Sequence, residues 1–322
     1  MSTLSTPASD ETERDVPADV RPVLDAVRDA CQAISRALTR SYVRSAGTHT
    51  ATATAAATTN TTGDTVAPMD SLSDELMQKH LRMCPSVAAF ASEEEAVVVQ
   101  CMMGKDERVA KHLVVYDPLD GSQNLAPCLS VGTIFGVFDT TSPATGRALV
   151  AAGYALYSQA SLFVFTVRGA GRCYAEVLCP DSDSFVERPA FRMPDKGKVY
   201  AINEANMERW SSTAVRALVQ RMRAEKRSVR WMSCMVADAH RILTEGGFFS
   251  YPCDTKNTSG RLRLVYELMP FALLYEEAGG AAVDPDDAAR TPLLDLAVPS
   301  LTDAPKLHAK HSCMFAGQYE AA

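Results

Sequence analysis

The order of hydrophobic patterns predicts an α/β (α+β) chain, built as a layered αβαβα body with its active site in the crevice between two subdomains. Three observations carry that expectation. Strand-like apolar runs follow one another through the first half of the chain. Strand and helix patterns then alternate in the second half. The 322 residues, 47% of them apolar, suffice for one large core or two smaller ones.

Met1 to Asp19 is acidic and rich in Ser, Thr and Pro, which reads as a disordered tail. An N-terminal metal and catalytic subdomain is expected over residues 20–190 and a C-terminal substrate-binding subdomain over 191–322. Val23, Val27, Cys31, Ile34 and Leu38 recur at helical spacing, so Pro22 to about Tyr42 is a helix with proline in its first turn. Ser45 to Thr62 is an Ala/Thr-rich surface loop of low complexity. Ser71 to Met83 is a second helix, with Leu72 and Leu76 expected to face inward.

Strand signals follow at Val87–Ala91, Val97–Cys101, His112–Tyr116, Val131–Phe138, Val150–Leu156 and Ser161–Val167. Arg168-Gly-Ala-Gly-Arg172 reads as a hairpin into a strand over Cys173–Leu178. It lacks the third glycine and the following helix of a dinucleotide loop. Pro180–Pro194 reads as a loop-like joint. Then come a strand near Val199, a helix over Thr213–Glu225, a strand near Val229, a helix over Met235–Glu245 and a strand over Phe248–Tyr251. A long helix is expected from Leu262 to Ala278, kinked at Pro270 and stopped by Gly279-Gly280.

The chemistry concentrates at Asp117-Pro118-Leu119-Asp120-Gly121-Ser122. An apolar strand carries two carboxylates onto a Pro/Gly turn, an arrangement suited to a hard divalent cation that shares its coordination with substrate phosphate. The continuation Gly121-Ser122-Gln123-Asn124 offers backbone N–H groups and short polar side chains to a phosphate. A second acidic knot, Ser92-Glu93-Glu94-Glu95, also follows a predicted strand, which lets both knots open at one end of a sheet.

Asp-Pro-Leu-Asp-Gly-Ser resembles the signature of the Mg-dependent, lithium-sensitive sugar and inositol phosphatases. Within them the chain resembles the fructose-1,6-bisphosphatase/sedoheptulose-1,7-bisphosphatase branch, from about Pro22 to about Gly317. Thr59-Asn-Thr-Thr-Gly63-Asp64 is similar to that family's catalytic loop. Gly132-Thr-Ile-Phe-Gly136, Tyr200-Ala-Ile-Asn203-Glu204, Met235 to Arg241, and Arg261 to Glu267 continue the likeness in order. The inositol-phosphatase branch would show a late Trp-Asp pair, and neither Trp210 nor Trp231 precedes an Asp.

The resemblance implies the layered sugar-phosphatase fold and two or three Mg²⁺ per site, with Mn²⁺ as a substitute. It implies Glu93, Asp117, Asp120 and Glu267 as side-chain ligands and the Leu119 carbonyl as a backbone ligand. Asp64 would complete a further metal position, and Asp70 with Glu94 would orient and deprotonate the attacking water. Asp120, Gly121, Ser122, Gln123 and Asn124 would cradle the departing phosphate. Asn203, Asn206, Arg230, Trp231, Tyr251, Arg261 and Arg263 would hold the rest of the substrate, with Arg230 lent across a dimer or tetramer interface.

At three of those positions the chain departs from the fructose enzymes. Asn206 and Trp231 replace tyrosines and Arg261 replaces a lysine. These changes favour sedoheptulose 1,7-bisphosphate as substrate, with fructose 1,6-bisphosphate or dual specificity as the alternative and an inactive metabolite-binding paralogue as a remote one. Val16 to Pro22 and the Lys111-His112 pair also lack the phosphate donors of the animal enzymes' AMP site, so little AMP inhibition is expected.

A net charge of −7 argues against nucleic acid or an anionic membrane as partner. No stretch approaches the roughly 18 uninterrupted apolar residues of a membrane span. The nine scattered cysteines contain no Cys-x-x-Cys pair and read as reduced thiols. With no signal-like N-terminus and no Ser-Lys-Leu ending, cytoplasm is the expected compartment.

Overall fold

A computed structural model describes residues 15–45, 58–59, 65–66, 68–101, 106, 109–299 and 304–321. Most of the Ala/Thr-rich loop, Asp64 and most of the N-terminal tail lie outside the described residues.

The first layer is a helix pair, α1 (Arg21–Ser45) and α2 (Pro68–Met83). Val23, Val27, Ala30 and Ile34 form the fully buried stripe of α1. On α2 the inward stripe is Met69, Ser73, Met77 and Leu81. Leu72, expected inside, is exposed, and Leu76 is only partly buried. The true stripe includes Ser73, with Asp74 buried beside it, and these polar residues hid it from a hydrophobic reading.

A two-residue pair, β1 (Thr58–Thr59) and β2 (Thr65–Val66), precedes α2. The second layer is an eight-stranded sheet of β3 (Val87–Ser92), β4 (Val99–Gln100), β5 (His112–Asp120), β6 (Val131–Phe138), β7 (Leu149–Tyr157), β8 (Ser161–Val167), β9 (Cys173–Cys179) and β10 (Ser184–Phe191). Its order is β10-β9-β8-β7-β6-β5-β3-β4. Alternation sorts the side chains: Leu113 and Val115 of β5 enter the core between the sheets, whereas Val114 and Tyr116 pack under α1 and α2. Strands β3 and β5 run parallel, with Ser92 beside Tyr116, so both acidic knots do emerge at one end.

Strand β10 corrects the loop expected over Pro180–Pro194. Its residues are mostly exposed and include Glu187, Arg188 and Pro189. Such residues suit an edge strand that must not recruit another chain, and they carry no burial signal.

The second half supplies β11 (Val199–Ala201), α3 (Thr213–Ala224), β12 (Ser228–Val229), α4 (Met235–Glu245), β13 (Phe248–Tyr251) and β14 (Leu262–Arg263). After a π-helical turn at Leu264–Leu268 come α5 (Met269–Glu277), β15 (Ala281–Val283), β16 (Lys310–His311) and β17 (Cys313–Ala316). Helices α4 and α5 form the middle layer. Every residue of α5 from Met269 to Tyr275 is buried, as a helix between two sheets requires. The fourth layer is the sheet β12-β11-β13-β17-β15. Helix α3 closes the stack by packing Val215, Val219 and Met222 on Tyr200, Phe248 and Met314.

The single kinked helix expected over Leu262–Ala278 is instead a strand, a π turn and a helix. Pro270 sits in the first turn of α5, where its missing N–H costs nothing, so it starts the helix rather than bending one. The nine cysteines are all free thiols, and among the described residues no helix is long and apolar enough to cross a membrane.

Candidate active site

A cleft of about 330 Å³ opens where β3 and β5 end, α4 begins and the π turn passes. Its floor is the Asp117–Asp120 turn. In the β5–β6 ladder Asp117 pairs with Ile134 and Asp120 with Gly132, so Pro118 and Leu119 bulge opposite Thr133 alone. The Leu119 N–H donates to Asp117 Oδ1 at 3.0 Å, which fixes one carboxylate oxygen. Asp120 Oδ2 accepts from the Val236 N–H at 2.7 Å and from the Cys234 thiol at 3.0 Å, at the N-terminus of α4. Gly132 permits that approach, because a Cβ there would stand 2.6 Å from the Val236 side chain. Gly121 adopts φ +76°, and a Cβ on it would meet Cys234 at 2.8 Å.

Glu267 reaches the same place from the π turn. Asp117, Asp120 and Glu267 are buried, and each offers an oxygen within 4.8 Å of the others. Arg263 braces this group. Its backbone N–H donates to Glu267 Oε2 at 2.6 Å, and its guanidinium pairs with Glu93 Oε1 at 2.5 Å. Two carboxylates, Glu93 and Glu267, thus lie within 4 Å of one guanidinium, at 2.5 and 3.9 Å. Burial, followed by repulsion from Glu93, Glu267 and Asp120, holds the Asp117 carboxyl well above the usual carboxylate range, while Arg263 pulls it down. Burial and then Glu93 raise Glu267 in the same way, and burial raises Asp120 against its bond from Val236. An all-oxygen, negatively overcharged, buried donor set fits a hard divalent cation.

Asp70 lies in the first turn of α2, inside the helix and not at its N-cap position, and it lines the cleft with Glu94. Glu95 instead accepts from Gln78 at 2.8 Å, outside the cleft lining. Leu119, Gly121, Ser122 and Gln123 also line the cleft. Asn124 does not: its amide donates to the Ser130 and Met232 carbonyls, both at 3.1 Å, and ties the turn to the segment before α4.

Away from that cluster Trp231, Tyr251 and Arg261 line the cleft, whereas Arg263, expected to hold substrate, lines it beside the carboxylates it pairs with. Trp231 stacks on Phe249 with ring centres 6.2 Å apart, and Arg261 donates to the Tyr251 hydroxyl at 3.2 Å. Asn203, Asn206 and Arg230 are not among its lining residues. The Asn203 side chain accepts from the Ala205 N–H, Asn206 accepts from Arg209, and Arg230 is exposed with its guanidinium on the Val229 carbonyl.

Sequence reasoning missed Ser233, Cys234, Met235, Phe249, Leu262 and Lys310 in the lining. The first three open a helix whose start was legible at Met235, and that start was the available signal. Lys310 arrives because β16 pairs with β14 opposite Arg263, a long-range pairing without local signal.

Comparison with known proteins agrees with this geometry. Residues 4–184 match the family model of the fructose-1-6-bisphosphatase N-terminal domain, and residues 193–313 match that of its C-terminal domain. The chain is 37% identical over 222 residues to a class 1 fructose-1,6-bisphosphatase of Persephonella marina, covering 67% of this chain and 68% of that protein. It is 34% identical over 267 residues to a cytosolic fructose-1,6-bisphosphatase of Brassica napus, covering 78% and 74%. The holo crystal structure of Leishmania major fructose-1,6-bisphosphatase superposes with a TM-score of 0.83 at 28% identity, over 96% of this chain and 94% of that one. The chain belongs to the fructose-1,6-bisphosphatase family of metal-dependent sugar-bisphosphate phosphatases.

Proposed function

We propose that this phosphatase removes the 1-phosphate of fructose 1,6-bisphosphate, with Mg²⁺ held by Glu93, Asp117, Asp120, Glu267 and the Leu119 carbonyl. The observation that carries the reading is the buried Asp117, Asp120 and Glu267 cluster, which opens into the same cleft as Ser122, Gln123 and the cationic end at Arg261. Bound there, a divalent cation neutralises phosphoryl oxygens and lowers the pKa of attacking water.

The chain's own residues do the rest. Ser122 and Gln123 orient the departing phosphate, and Gln123 is itself held by the Ser233 carbonyl at 3.0 Å. Asp70 and Glu94 orient the water and take its proton on a carboxylate oxygen. Arg263 keeps Glu93 and Glu267 in place as the group reorganises around substrate. Asp64, the further metal ligand that the resemblance implies, lies outside the described residues. Arg261 and Tyr251 grip the second phosphate, while Asn203, Asn206 and Arg230 contribute once substrate and a neighbouring subunit assemble the distal end.

Fructose 1,6-bisphosphate now leads over sedoheptulose 1,7-bisphosphate for two reasons. The relatives described above carry the fructose name. Asn206, one of the three residues that favoured the heptulose, is engaged by Arg209 and is absent from the cleft lining. Trp231 and Arg261 do line it and keep the heptulose as the second reading. Side-by-side kinetics decide: a higher kcat/KM for fructose 1,6-bisphosphate supports the proposal, and a tenfold preference for the heptulose ester overturns it.

The family is generally oligomeric, and we take this chain as a dimer or tetramer with Arg230 shared. The division near residue 190 into metal-carrying and substrate-carrying subdomains is part of the same reading, supported by two family models, one ending at 184 and the other beginning at 193. A cytoplasmic location is supported by the cytosolic relative.

A further inference from the structure

The bulge that carries the metal carboxylates leaves backbone groups without ladder partners, and their satisfaction can be followed atom by atom. Pro118 has no N–H, and the Leu119 N–H is taken by Asp117. The Pro118 carbonyl sits opposite Thr133, the one β6 residue facing two on β5. It accepts from the Thr133 hydroxyl at 2.8 Å. A threonine hydroxyl has a single hydrogen. The contact between Thr133 Oγ1 and the Tyr157 hydroxyl at 2.9 Å therefore runs from tyrosine to threonine. Thr133 is fully buried and Tyr157 nearly so, so bulk water has little access to the pair. Donors run in one direction from Tyr157 through Thr133 to the carbonyl between the two metal aspartates, and bonds in such a chain strengthen one another.

We propose that Thr133 is a positioning residue for the metal turn, that its hydroxyl sets the tilt of the Pro118–Leu119 peptide, and that Tyr157 holds that hydroxyl in its donating direction. The tilt decides where the Leu119 carbonyl and the free oxygen of Asp117 point. Thr133 touches neither metal nor substrate and acts through the backbone. The inference rests on the metal-site reading given above.

The test is Mn²⁺ binding to the full chain without substrate, followed by electron paramagnetic resonance, together with Mg²⁺ activation of phosphate release. Thr133→Val keeps the shape and removes the donor. It should weaken Mn²⁺ binding and raise the half-activating Mg²⁺ concentration about tenfold, with the KM for the sugar bisphosphate at saturating Mg²⁺ within twofold of the parent. Thr133→Ser should restore both metal readouts, and Tyr157→Phe should weaken binding about threefold. A merely structural role would lower the unfolding temperature in Thr133→Val while leaving metal affinity unchanged, and that result overturns the inference. So does failure of serine to rescue. If Thr133→Val does not fold, Tyr157→Phe decides, and parental Mn²⁺ affinity in that variant refutes the proposal. If the parent chain itself binds no Mn²⁺, the metal-site reading falls and this inference with it, a result separate from every variant outcome.

Discussion

The two ends of the cleft are built differently. At the metal end Asp117 and Asp120 come from a strand end, Glu93 from the residue after a strand and Glu267 from the π turn. Arg263 pairs with Glu93, and backbone N–H groups orient the other three. Leu119 fixes Asp117, Val236 fixes Asp120 and Arg263 fixes Glu267. At the distal end the polar residues sit on short turns, are more exposed, and bond to near neighbours rather than converging. Chemistry is preorganised and specificity is left to adapt. Hydrolysis needs charge fixed before the reaction, whereas a second phosphate can be gathered by flexible cations as it binds.

The largest break in that contrast should come from Asp120→Asn. The variant should fold, since asparagine Oδ1 can still accept from Val236, yet lose activity by about 10³-fold or more as several kcal/mol of charge stabilisation disappear. Near-parental turnover in Mg²⁺ would remove Asp120 from the metal set.

Arg261→Ala should behave in the opposite way. Loss of one charge-assisted grip, of order 1.5–3 kcal/mol, should raise KM by about tenfold or more with kcat little changed. A fall in kcat at constant KM would mean that the distal end is as preorganised as the metal end.

Acid–base linkage sharpens the comparison next. Asp117, Asp120 and Glu267 carry folded-state pKa values raised above their ordinary 3.8 to 4.5. Between the ordinary and raised values the metal-free folded chain holds more protons than the unfolded chain, so its stability falls as pH rises through that window. Thermal melts in chelator should therefore drop by several degrees as the pH is raised above about 5, and Mg²⁺ should flatten the slope. His240 has the opposite sign. Burial lowers it from 6.5 to about 4, and its Nδ1 contacts the Tyr154 hydroxyl. Its contribution is complete above pH 6.5 and is lost on acidification toward 4, so within that window it partly offsets the opposite trend of the carboxylates. A chelated melt independent of pH would contradict the overcharged cluster.

The smallest effect is expected from AMP. Lys111 is held by Asp19 at 2.6 Å and His112 is buried beside the same carboxylate, so an arriving phosphate would have to displace a charge already in place. Less than twofold inhibition at physiological AMP is the expected outcome, and half-inhibition at micromolar AMP would refute it.

Much of the metal end was legible because it is local. Asp117 to Ser122 is one strand end and one turn, and two apolar runs each ending in acid let both knots open at one end of a sheet, as the parallel β3–β5 pair has them do. What the sequence could not reveal depended on distance along the chain or on exposure. Arg263 beside Glu93 joins residues 170 positions apart. Lys310 enters through a two-residue strand pair. Strand β10 is exposed and charged, so its pairing with β9 left no hydrophobic trace. The phase of α2 was misread because Ser73 and Asp74 occupy core-facing positions, where Asp74 accepts from the Tyr116 hydroxyl at 2.9 Å. The glycines of the 168–172 hairpin likewise had a plain use: the Gly169 and Gly171 N–H groups grip the two oxygens of Glu277, each at 2.8 Å.

The central claim is that one preorganised carboxylate cluster makes this chain a Mg²⁺-dependent fructose 1,6-bisphosphate phosphatase. The most direct test is phosphate release from that ester during a Mg²⁺ titration of the parent chain, with chelator as the zero point and sedoheptulose 1,7-bisphosphate run in parallel. The account predicts no release in chelator, saturable activation by Mg²⁺, and a higher kcat/KM for the fructose ester. Release that persists without metal, or a clear preference for the heptulose ester, would contradict it.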